Sequence, residues 1–123
     1  MTSATSKHEA LKLLHEVFDQ CNTSDRDGYG ATRVTEAAHN TACRFVESLP
    51  FGVEMPSVGA ETDGSVKLEW YRRPDHLLSI SIGADGLVKY AATFGGESVS
   101  GFERFGSELP PTIRVLIWQA ILA

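Results

Sequence analysis

The sequence predicts an α+β fold of order ααβββββα: two N-terminal helices, a five-stranded antiparallel meander, and a C-terminal helix packed on the sheet. Three observations carry this. From Ser57 to Phe105, short apolar runs alternate at period two between the turn signals Asp63-Gly64, Arg73-Pro74-Asp75, Asp85-Gly86 and Gly95-Gly96. Residues 6–49 instead show apolar side chains every three or four residues. The last stretch opens on Leu109-Pro110-Pro111 and is apolar nearly all round.

Ser6-Lys7-His8-Glu9 has the S-x-x-E pattern of a capping box, in which the serine hydroxyl takes the N3 amide. A helix is expected from there to about Cys21. Ala10, Leu11, Leu14, Val17, Phe18 and Cys21 form its apolar face, with Lys12, Glu16 and Asp19 on the wet side. Asn22 to Ala31 is polar and Gly-rich and breaks the helix. A second helix is expected from about Thr32 to Ser48, with Val34, Ala38, Thr41, Ala42, Phe45 and Leu49 as its stripe. Pro50 disfavours helical backbone at Leu49 and ends it.

In the meander, Val66, Leu68 and Trp70 share a face, as do Leu78, Ile80 and Ile82, and Val88, Tyr90 and Ala92. Lys67, Glu69, Tyr71, Ser79, Ser81 and Lys89 take the opposite, wetter face. The Asp-Gly pairs imply type I′ turns, with positive φ at both central residues. Glu97 to Phe105 alternates less regularly, and Gly101 suggests a bulge or bend. Prolines in a first helical turn suit a final helix from Thr112 to Leu122. The whole, residues 1–123, reads as one domain: helix pair at about 6–49, sheet at about 57–105, last helix at about 110–122.

Composition is that of an ordinary globular protein, with 42% hydrophobic and 22% charged residues. The formal charge of −5 leaves no basic footprint for nucleic acid. A modest negative charge suits a basic partner, through residues such as Asp19, Asp25, Asp27, Glu36, Glu61 and Asp63. Met1 to Ser6 has no basic or apolar leader, and Ile113 to Ala123 is too short to span a bilayer, so a cytoplasmic setting without membrane contact is expected. The two cysteines, Cys21 and Cys43, read as free buried thiols in a reducing compartment; a disulfide between the helices is the alternative.

No catalytic constellation is legible. Gly96 to Gly101 lacks nucleophile-elbow spacing, and both cysteines fall on apolar helix faces. His8 and His15 stand seven residues apart, about 10.5 Å along a helix, and cannot share one metal by themselves. Neither belongs to an HExxH motif. His15 and Asp19 at i, i+4 read as a solvated helix pair, and His76 as an exposed turn residue. Asp25 to Glu36 resembles the twelve-residue calcium loop of the EF-hand family: Asp25, Asp27, Gly30 and Glu36 fall in its pattern. It departs at position five, Tyr29, and position eight, Thr32, and no second loop follows. A polar connection is therefore the reading, with Asp25, Asp27 and Glu36 the candidate cation ligands and no metal or cofactor expected.

Two features suggest binding surface. One is the outer sheet face, where Tyr71, Glu69, Ser79 and Ser81 gather with Ser98, Ser100, Lys67 and Lys89. The other is Trp118 on the last helix, which needs a partner if the meander covers it only in part. The residues from Asp63 to Trp70, Leu78 to Gly86 and Ser107 to Pro110 together resemble a pattern in an uncharacterised family of small bacterial proteins. That resemblance implies a bacterial or mobile-element origin and a cytoplasmic setting, and it transfers no site. The function read from all this is a non-enzymatic protein–protein interaction module of inhibitor, antitoxin, immunity or anti-defence type, with another protein or a second copy as partner. The alternatives are a small-ligand module with its site between sheet and helices, and an enzyme whose spacings match no known motif.

Overall fold

The computed structural model describes residues 6–21, 34–106 and 108–122. The elements run α1 (Lys7–Cys21), α2 (Glu36–Glu47), β1 (Ser57–Ala60), β2 (Val66–Arg73), β3 (His76–Ile82), β4 (Leu87–Phe94), β5 (Glu97–Arg104) and α3 (Pro111–Ile121). The strands form one antiparallel sheet in the order β1-β2-β3-β4-β5. The α+β order expected from the sequence is the order observed.

Local chemistry sets the helix ends. The Glu9 amide donates to Ser6 Oγ at 3.1 Å, the serine half of the expected box. α2 begins later than its apolar period suggested. Thr35 is extended (φ −76°, ψ 154°) and its Oγ1 accepts from the Ala38 amide at 3.0 Å. A threonine satisfying that amide is a better N-terminus than an uncapped turn further upstream.

The period-two reading survives into three dimensions. Leu68 pairs with Ile80, and Ile80 with Tyr90; Trp70 pairs with Leu78, and Leu78 with Ala92. These residues form the sheet side of the core. Its helix side comes from Ala10 and Leu14 of α1, Ala38, Ala42, Phe45 and Val46 of α2, and Ile113, Ile117 and Ala120 of α3. α1 packs on α2 and beside β1, while α2 and α3 both lie on the sheet. Phe45, Leu68, Trp70, Ile80, Ile113 and Ile117 occupy the space between sheet and helices.

Two strand-end side chains hold α3 in place. By alternation Arg72 and His76 share the core-side face with Trp70, at its rim. Arg72 makes a bidentate pair with Glu54 (3.0 and 3.1 Å) and donates to the Ile121 carbonyl at 3.0 Å. The His76 Nε2 lies 3.0 and 3.1 Å from the Gln119 and Ala120 carbonyls. The last carbonyls of a helix have no partner within it, so donors there close the helix. His76 is thus half-buried and structural, not the exposed turn residue its neighbours Pro74 and Asp75 suggested.

Two turn expectations are corrected. The Gly64 amide donates to the Glu61 carbonyl at 3.1 Å, which makes Thr62 and Asp63 the central pair and places Gly64 (φ 90°) after the turn. Asp63 Oδ1 accepts from the Ser65 amide at 2.9 Å, and Asp85 Oδ1 from the Leu87 amide at 3.1 Å. The aspartates thus act as side-chain turn formers beside a left-handed glycine, not as the first half of a I′ turn. Gly101 makes no bulge either, because β4 and β5 pair without a slip from Leu87/Arg104 to Phe94/Glu97. The register shift falls between Tyr71 and Arg73. Gly101 faces Tyr90 across the strands, and a Cβ there would lie 2.5 Å from the phenol oxygen and 2.8 Å from Cζ.

Candidate functional site

Pairing registers assemble the outer face row by row. Lys67, Ser81, Lys89 and Phe102 run across the sheet in one row. Glu69, Ser79, Ala91 and Ser100 make the next, and Tyr71, Leu77, Thr93 and Ser98 the third. Small side chains fill the middle. Exposed aromatics stand at two diagonal corners: Tyr71, 53% exposed, and Phe102, 66% exposed.

The charged end of the face is cross-linked. The Ser79 hydroxyl donates to Glu69 Oε2 at 2.9 Å, and Lys67 Nζ lies 3.8 Å from the same oxygen. The lysine that Glu69 meets is therefore its near neighbour on β2, not Lys89, because Lys89 stands opposite Ser81 and Phe102 one row away. The Ser81 hydroxyl donates to Glu61. A shallow hollow of about 320 Å³ lies among Glu61, Lys67, Ser79, Ser81, Lys89 and Ala91. It adjoins one of about 300 Å³ that shares Ser81 and Lys89 and adds Asp63, Ser65, Gly83 and Asp85.

Burial, and then the charge of Asp63, push the Glu61 carboxyl above the usual carboxylate range, against the pull of Lys67 and Lys89. The native state then binds more protons than the unfolded chain between about pH 4.5 and the raised value, so Glu61 costs stability as pH rises through that window. Glu61→Gln is expected to melt higher than wild type at pH 7, with the gap closing by about pH 4, where both forms are neutral. Thermal unfolding followed by circular dichroism at the two pH values checks this. A lower melting point than wild type at pH 7 would contradict it.

Of the residues singled out in the sequence, Tyr71, Glu69, Ser79 and Ser81 come together on this face. Trp118 does not join them. It is half-buried against the core on the helix side of the sheet, while Val115 of α3 (62%) and Leu122 just beyond its end (75%) are the open large apolar residues there. Asp25 and Asp27 lie outside the described residues, and Glu36 opens the first turn of α2. Phe102 was missed because Val99 and Phe102 point to opposite faces of β5, which erases any apolar period along that strand. Phe51, on the loop between α2 and β1, is fully exposed and carries no periodic signal.

Among the described residues one group has metal-ligating chemistry: His15, His39 and Cys43. The sequence signal for it was the i, i+4 spacing of His39 and Cys43. Cys43 is a free, half-buried thiol. No helix among the described residues is long and apolar enough to cross a membrane. No family model, curated protein or solved structure matches the chain.

Proposed function

We propose that this is a non-enzymatic protein-interaction module, of inhibitor, antitoxin, immunity or anti-defence type, that binds another protein through the outer sheet face and the adjoining edge of β5. The observation that carries this reading is β5 itself. It is eight residues long and, among the described residues, hydrogen-bonded only to β4. Its middle, Ser98 to Phe102, carries no charge. Natural sheets guard such edges with charges, prolines or short strands, because an open ladder of N–H and C=O groups accepts another strand. An extended segment of the partner adds there as a sixth strand. Phe102 and Tyr71 serve as aromatic anchors beside the small-residue rows. Glu61, Asp63 and Asp85 at the far end favour basic groups on the partner.

The test compares wild type with Phe102→Lys, which keeps the strand and charges the face. Light scattering on the purified chain reads self-association, and affinity capture from the native host reads other partners. A stoichiometric complex, whether with a different protein or a second copy, is expected for wild type. Phe102→Lys should weaken it by about 2 kcal/mol or more. A wild-type monomer that captures nothing the variant loses overturns the proposal.

A further inference from the structure

The helix pair brings three metal-ligating side chains to one point on the side of the sheet away from the outer face. His39 and Cys43 stand one turn apart on α2, at i and i+4, and so share a helix face. His15 arrives from α1, which packs on α2. The His39 Nε2 and Cys43 Sγ are 3.6 Å apart. One ligand atom from each of the three residues lies within 4.8 Å of the others. A tetrahedral ion with metal–sulfur about 2.3 Å and metal–nitrogen about 2.0 Å separates its sulfur and nitrogen by about 3.5 Å. The α2 pair already has that spacing. His15 is exposed, and its ring already stands beside that of His39.

A thiol–imidazole hydrogen bond accounts for the α2 pair alone. It does not account for the second imidazole, whose ring centre is 4.8 Å from that of His39 at a tilt of 55°. The His39 ring is also held in place. Phe18 stacks on the His39 ring (4.6 Å, 26°), which holds the ring's orientation.

We propose that His15, His39 and Cys43 form a site for a zinc-type divalent cation, with three protein ligands and a fourth position open to water, clasping α1 to α2. Imidazole and thiolate together select zinc or cobalt over magnesium or calcium, which take oxygen ligands. On binding, the Cys43 thiol releases its proton to solvent and the sulfur takes a bond to the metal.

Titrating the chelator-stripped full chain with Co²⁺ tests this. One equivalent is expected to give thiolate-to-cobalt charge-transfer absorption and intense visible bands of tetrahedral cobalt. Zn²⁺ should bleach both and raise the melting temperature. Cys43→Ser should abolish the charge-transfer band, and Cys21→Ser should leave it. His15→Ala changes an exposed residue and keeps the fold testable if Cys43→Ser misfolds. Removing a ligand costs at least what removing an outer partner does, so Co²⁺ affinity there should fall by about tenfold or more. A wild-type chain without the thiolate band, or a band that survives Cys43→Ser, vanishes in Cys21→Ser or is unmoved by His15→Ala, overturns the proposal.

Discussion

Trp70→Ala is expected to lower the unfolding free energy by about 3–5 kcal/mol, the range for deleting a buried large aromatic. Trp70 is only 2% exposed and sits in the middle of the sheet's covered face, paired with Leu78. Its indole Nε1 also donates to the Glu54 carbonyl at 2.7 Å. That bond ties the β1 approach to the core and leaves a carbonyl to find water when the ring goes. Against a typical total of about 5–15 kcal/mol, the loss brings the chain near its unfolding threshold. Urea denaturation measures it: the midpoint should fall with little change in slope. Trp70→Phe should recover most of the packing but not the hydrogen bond, so it should fall between the two. A shift below about 0.5 kcal/mol for Trp70→Ala, the surface range, would show that the ring is not in the core.

Gly101→Ala is expected to cost about 1–2 kcal/mol, and here two effects compete. Replacing glycine restricts the unfolded chain and stabilises the fold by about 0.4–1 kcal/mol where the native backbone accepts a side chain. The added methyl, however, would meet the Tyr90 ring at 2.5 and 2.8 Å, well inside contact distance. Overpacking of this kind costs about 1–3 kcal/mol and should win. The cycle with Tyr90→Ala separates the terms. Once the ring is gone, Gly101→Ala should become neutral or stabilising, and the coupling should exceed about 0.5 kcal/mol. Additive effects would mean that Tyr90 does not depend on the gap that Gly101 leaves. If the ring is displaced instead, β5 loses its cover on the core side. The same substitution then also reports on the edge where we propose that a partner binds.

Residues whose role depends on near neighbours were legible before any coordinates. The Ser6 cap, the stripe of α2 and the shared face of Trp70, Ile80 and Tyr90 all follow from spacing along the chain. So did the grouping of Tyr71, Glu69, Ser79 and Ser81, because one parity rule places all four. The misses have one cause. His76 looked like a turn residue because its partners, the Gln119 and Ala120 carbonyls, lie more than forty positions away. Phe102 carried no period, and only the pairing of Lys89 with Phe102 puts it on the outer face. Gly101 resembled a bend because a glycine in a strand has several uses, and the ring that needs the gap belongs to the next strand.

By itself the sequence determined the number and order of the elements and which side of each strand is apolar. Backbone preference, capping and alternation act within a few residues, so a linear text contains them. Only the tertiary structure decided which side chains meet across elements: Arg72 and His76 on the end of α3, Tyr90 over Gly101, and His15 beside His39 and Cys43. Such meetings follow from how helices dock and strands register, and docking is chosen by the burial of whole faces. No single residue's neighbours along the chain encode that choice.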